Sequence, residues 1–211
     1  MSSSKIENVL VLQGGGSLGT FGCGVFKALA NKNIKFDIVA GTSIGGINAA
    51  VIAGSIDKDH PELTLEEFWL ELGENSVNLY NPVTEWLYYK SRSHLFRSAE
   101  NLLPTTDEVN SLWSTTSSIL YGNDKFFVPR WRVDYMLKDP QCFDPSKWTY
   151  IYDHSHLVKT LEKYIDFNKL QPDGHPNARL IINAVNILTA QPLTFDSSKQ
   201  KITPKHILGP N

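Results

Sequence analysis

Twice near its start the chain runs from a short apolar segment straight into glycines and then into small apolar residues. Glu7-Asn-Val-Leu-Val-Leu-Gln13 leads into Gly14-Gly-Gly-Ser-Leu-Gly19, and Phe36-Asp-Ile-Val-Ala40 leads into Gly41-Thr-Ser-Ile-Gly-Gly46. An apolar, β-branched run that ends on glycine predicts a strand buried on both faces of a sheet. The small residues that follow, to Leu29 and from Ile47 to Ala53, predict helices packed closely on those strands, the first stopped by Asn31-Lys-Asn33 and the second by Gly54. Two strand-to-helix units in succession predict an α/β fold, a three-layer α/β/α arrangement around a mainly parallel sheet.

Composition narrows the classes further. The 211 residues suit one domain, and with 41% hydrophobic and 20% charged residues at a net charge of −2 the chain is neither a disordered tail nor a generally basic nucleic-acid binder. The longest apolar stretch, about residues 39–54, is broken by Thr42, Ser43 and Asn48 and is too short to span a bilayer. The N-terminus has no signal-peptide pattern, and two cysteines, Cys23 and Cys142, form neither a disulfide framework nor a zinc motif. A reducing, cytoplasmic setting is expected, with Cys23 packed as a small hydrophobe. No metal site is expected; His154 and His156 lack metal spacing.

Residues 57–156 read as an aromatic-rich insertion. Leu65–Leu72 has amphipathic helical spacing, but Phe126, Phe127, Trp131, Tyr135, Phe143, Trp148, Tyr150 and Tyr152 crowd a region broken by Pro129, Pro140 and Pro145. This segment suits either a lid over an acyl-chain pocket or satellite core packing. Beyond it, Leu157–Tyr164 predicts a helix and Ala178–Asn186 another buried strand. Leu193–Phe195 and Lys201–Thr203 predict a hairpin around Asp196–Gln200.

The chemistry concentrates in the two glycine turns. Gly41-Thr42-Ser43-Ile44-Gly45 is a GxSxG sequence between a predicted strand and a predicted helix, where a sharp turn pushes the serine into the open and glycines relieve collisions. Ser43 is the candidate nucleophile, and the Ile44 N–H at the helix start suits a developing oxyanion. Gly14, Gly15 and Gly16 allow several backbone N–H groups to converge in an anion-binding nest. Such a nest serves either an oxyanion or a dinucleotide pyrophosphate, and Gly14, Gly16 and Gly19 satisfy GxGxxG. Asp37 opens its strand instead of closing it, which suits a ribose-reading acid poorly.

Together the two turns resemble the patatin-like phospholipase family, through Val9-Leu-Val-Leu-Gln-Gly-Gly-Gly-Ser-Leu-Gly-Thr-Phe-Gly-Cys-Gly-Val25 and Val39-Ala-Gly-Thr-Ser-Ile-Gly-Gly-Ile-Asn-Ala-Ala50. A looser likeness runs through Tyr152-Asp153, Asp166-Phe167, Asn183–Asn186, Phe195-Asp196 and Ile202–Ile207. The resemblance implies a Ser/Asp dyad hydrolysing lipid acyl esters through an acyl-enzyme on Ser43, with no cofactor. It implies an oxyanion hole at Gly14, Gly15, Gly16 and Ile44, with Gly19, Gly41 and Gly45 supporting the turns. The implied partner is a lipid or acyl-ester substrate, met in transient contact with a membrane surface. Gln13 stands where many members have Asp, and Leu18 where many have a basic residue.

The family's partner aspartate lies in an Asp-Gly-Gly or Asp-Gly-Ala motif beyond the segment that Ile202–Leu208 resembles, and no match to it is present. The expectation is a C-terminally incomplete single domain over 1–211, with weakened activity because a serine hydroxyl needs a base. Asp173-Gly174, followed by His175-Pro176, reads as a loop turn. The chain order Ser43, Asp166 or Asp173, His206 also permits an α/β-hydrolase triad. A dinucleotide-dependent oxidoreductase and a non-catalytic lipid-binding protein are the competing readings.

Overall fold

The computed structural model describes residues 6–74, 128–129, 152–186 and 188–208. The chain forms two compact units, residues 1–70 with 158–211, and residues 71–157. The first holds a four-stranded sheet in the order β1 (Val9–Leu12), β2 (Ile38–Thr42), β5 (Arg179–Val185), β6 (Pro192–Asp196). The first three strands are parallel and β6 is antiparallel to β5, so the sheet is mixed and mostly parallel. With its flanking helices it is consistent with a patatin-like α/β/α fold.

Register explains how the helices attach. Leu12, Gly41 and Ile182 are neighbours across three strands and share one face, as do Leu10, Val39 and Leu180 two residues earlier. Helix α1 (Gly19–Ala30) lies over this face at Gly22, where a Cβ would sit 3.7 Å from Leu12 Cδ2. Helix α2 (Ile44–Gly54) approaches it at Gly46, where a Cβ would sit 3.4 Å from Ile182 Cγ2. Val39 and Leu180 are fully buried beneath, and every residue of α2 is buried. The Asn31-Lys-Asn33 stop ends α1, with Asn33 at φ 57° and Ile34 N–H donating to the Leu29 carbonyl.

Two expectations are corrected. β1 is not buried on both faces: Val9 is half exposed and Val11 is 74% exposed. It ends the described strand order, with β2 as its ladder partner. The expected hairpin of Leu193–Phe195 with Lys201–Thr203 does not form. β6 pairs with β5 instead, through a turn in which Asn186 Oδ1 accepts from Leu188 and Thr189 N–H. Residues 201–203 leave the sheet because Ile202 is wholly buried and its N–H donates to the Leu170 carbonyl.

Helix α3 (Pro61–Glu74) buries Leu65 and Phe68. Phe68 meets Tyr164 edge to face at 5.8 Å, and Tyr164 closes α4 (Ser155–Tyr164). A loop then returns to the carboxyl end of α2, where Asp166 and Asn177 N–H donate to the Gly54 and Ala53 carbonyls. A short helix, α5 (Pro204–Leu208), closes the first unit. In the second unit β3 (Val128–Pro129) and β4 (Tyr152–Asp153) pair antiparallel. Within the expected 57–156 insertion the aromatic residues Phe68, Trp69 and Tyr152 are described, whereas Phe126, Phe127, Trp131, Tyr135, Phe143, Trp148 and Tyr150 lie outside the described residues, as does Cys142. Among the described residues no helix is long and apolar enough to cross a membrane.

Candidate active site

The chain leaves β2 at Thr42, turns within one residue and enters α2 at Ile44. That residue is Ser43, exposed, with φ 55° and ψ −129°. A non-glycine residue at positive φ is costly, and such strain persists only where its surroundings enforce it. Here the enforcement is visible. A Cβ on Gly41 would collide with the Gly45 carbonyl, and one on Gly45 would collide with the Leu12 carbonyl and lie 2.7 Å from the Gln13 oxygen. Only glycine at both positions lets the turn close against the end of β1. The Ser43 carbonyl then accepts the first helical bonds, from Gly46 and Ile47 N–H at 2.8 and 3.2 Å.

The glycine turn after β1 comes to the same place. A Cβ on Gly14 would lie 3.2 Å from Ser43 Cβ and 3.9 Å from its Oγ, so the Gly14 backbone abuts the serine. Gly15 continues outward under Leu18, whose N–H donates to the Gly15 carbonyl at 3.2 Å. Gly16, at φ 58°, opens the single 3-10 turn Gly16–Leu18 that delivers the chain to α1. At Gly19 a Cβ would come within 2.6 Å of both Ile44 Cγ1 and Trp69 Cζ2. Gly14, Gly19, Gly41, Ser43, Ile44 and Gly45 therefore meet at the carboxyl edge of the sheet, while Gly15 and Gly16 form the outer bend.

Asn48 is a residue that sequence reasoning missed. It is 1% exposed, its Nδ2 donates to the Gly19 carbonyl at 2.8 Å, and its Oδ1 accepts from Trp69 Nε1 at 3.0 Å. One buried amide thus ties α2 to the start of α1 and to α3. A polar residue inside an otherwise apolar helix, five positions beyond the candidate serine, was the available signal.

The acids Asp166, Asp173 and Asp196 lie elsewhere. Asp166 and the Asp173-Gly174 turn sit at the far end of α2, an 11-residue helix about 16 Å long. A Cβ on Gly174 would collide with the Lys169 carbonyl, which explains the glycine as a turn residue. Asp196 pairs with Arg179 near the amino end of β5, with Nε to Oδ1 at 2.9 Å and Nη2 to Oδ2 at 2.5 Å. That guanidinium first, and Ser198 in addition, holds the Asp196 carboxyl well below the usual carboxylate range, so it is a weak proton acceptor.

His206 packs against Phe195 with the rings tilted 43° and their centroids 4.8 Å apart, and its Nδ1 accepts from the Thr203 N–H at 3.0 Å. The neutral ring then carries its proton on Nε2, whereas a triad histidine donates from Nδ1 and accepts on Nε2. Asp37 accepts from Asn8 N–H at the amino end of β2, opposite the edge where a ribose would lie. Burial, then Glu66, pushes the Cys23 thiol up, as expected of a packed cysteine and not of a nucleophile. Among the described residues no acid or histidine hydrogen-bonds to Ser43, and none cluster to hold a metal.

Comparison with known proteins shows which family the sequence resembles. A patatin-like phospholipase domain-containing protein of Cryptococcus neoformans var. neoformans is 29% identical over 116 residues, which is 54% of this chain and 12% of that protein. A lysophospholipase of Aspergillus terreus is 50% identical over 48 residues, 23% of this chain and 3% of that enzyme. The chain thus matches only a small part of these much longer relatives. The family model for patatin-like phospholipase matches residues 10–206, from β1 into α5, and the chain belongs to that family.

Proposed function

We propose that this chain is a serine hydrolase of lipid acyl esters that works through an acyl-enzyme on Ser43. The observation that carries the reading is the strained, exposed Ser43 with the Gly14 backbone packed beside it. Family membership supports the ester-hydrolase class, and the relatives' names supply phospholipase and lysophospholipase as reaction types.

In this reading Ser43 Oγ attacks the acyl carbonyl carbon as a base takes its proton. The carbonyl π electrons move onto oxygen, where N–H groups of the Gly14–Gly16 turn and of Ile44 at the start of α2 offer hydrogen bonds. Collapse expels the lipid alcohol with a proton and leaves the acyl group on Ser43; water then releases the fatty acid and regenerates the serine. In the family's Ser/Asp form of this chemistry a carboxylate receives the Ser43 proton. Asp166, Asp173 and Asp196 do not suit that part, for the positional and electrostatic reasons given above.

Acid-quenched mass spectrometry after incubation with a p-nitrophenyl acyl ester tests the reading. The expected result is one acyl adduct on the Ser43 peptide, absent in Ser43→Ala. An adduct on another residue, or ester turnover that survives in Ser43→Ala, would overturn it.

A further inference from the structure

Between Val9 and Phe26 the chain carries no charged residue, yet much of this segment faces outward. Leu18 is 72% exposed, Phe21 76% and Val25 37%. Leu18 has helical geometry at the start of α1, so spacings of three and four residues put these side chains in one stripe. The other side of α1 buries Gly19, Cys23 and Phe26. The only charged residue of the helix, Lys27, is bound by Glu66 of α3.

The stripe begins at the candidate site. Leu18 carbons lie 3.4 Å from the Cβ position of Gly15, and Gly15 follows the Gly14 that abuts Ser43. Whatever covers Leu18 is therefore held near the glycine turn that abuts the serine. The exposed neighbours Ser17, Thr20 and Gly24 are uncharged. Large apolar side chains flanked by hydroxyls suit the boundary between lipid acyl chains and head groups. An anionic surface favours lysine and arginine, which this face lacks.

We infer that the Leu18, Phe21 and Val25 stripe docks on an electrically neutral, zwitterionic lipid surface and so presents Ser43 to ester groups held there. The inference rests on the acyl-hydrolase reading for its purpose, but binding is measured without catalysis. The experiment is co-sedimentation of the full 211-residue Ser43→Ala chain with phosphatidylcholine vesicles. Binding is expected and is expected to persist at raised salt. Adding Phe21→Gln or Leu18→Ser is expected to lower vesicle partition about tenfold or more, with circular dichroism melts checking the fold. Ile6→Ser, at an exposed apolar side chain outside the stripe, is expected to leave partition unchanged.

No binding by the Ser43→Ala chain, equal losses with Ile6→Ser, or no loss with Phe21→Gln and Leu18→Ser would each overturn the inference. Dependence on anionic lipid would overturn it as well. Vesicle binding without Ser43 acylation in the parent chain would instead remove the hydrolase reading and leave the docking face standing.

Discussion

At the residue scale the site depends on what glycine lacks and on one buried amide. Gly45→Ala places a methyl group against the Leu12 and Gln13 carbonyls, so the end of β1 or the start of α2 must shift. A loss of about 1–3 kcal/mol in denaturant unfolding is expected, together with slower modification of Ser43. Asn48→Ala leaves the Gly19 carbonyl and Trp69 Nε1–H without their partner and is expected to destabilise by about 2–4 kcal/mol. Asp196 gives a pH signature. Arg179 depresses its folded-state pKa, so its stabilisation is present above the unfolded value near 3.8 and is lost as pH falls toward the depressed folded value. Asp196→Asn should lower the melting temperature at neutral pH. Below about pH 4 the gap between parent and variant should narrow; a gap that stays constant would count against this assignment.

At the element scale, what the sequence discloses depends on how local the cause is. The strand, glycine turn and helix order around Gly14–Gly19 and Gly41–Gly46 is written in consecutive residues, because a sharp turn and its relief of collisions involve near neighbours. Periodicity points to a helix only over Leu65–Leu72, whereas α3 begins at Pro61, the first helical position that proline favours. The partner of β6 was not legible. Choosing β5 over residues 201–203 turns on the burial of Ile202 against the Leu170 segment, thirty-odd residues earlier in the chain. The Asn48 clamp was hidden for the same reason, as its partners lie on α1 and α3. Phe68, wholly buried between Trp69 and Tyr164, anchors α3. Phe68→Ala is expected to cost about 3–5 kcal/mol in chemical denaturation.

At the scale of the whole molecule, a parallel sheet gathers its functional residues at the carboxyl ends of its strands, and both glycine turns lie at that edge. The first, after β1, brings backbone N–H groups; the second, after β2, brings the serine; α2 carries the serine at its amino end and is buried along its entire length. The two turns meet because β1 and β2 are in register, Leu12 beside Gly41. Asp166, Asp173 and Asp196 belong to the opposite edge, where Asp166 Oδ1 accepts from the Asn168 N–H and Asp196 pairs with Arg179. The central claim is the proposal that Ser43, strained and exposed beside the Gly14 backbone, is the nucleophile. Fluorophosphonate labelling of the 211-residue chain, mapped by peptide mass, tests it most directly. The account predicts one modified residue, Ser43, and no labelling in Ser43→Ala; a folded chain that stays unlabelled, or that is labelled equally in Ser43→Ala, would contradict it.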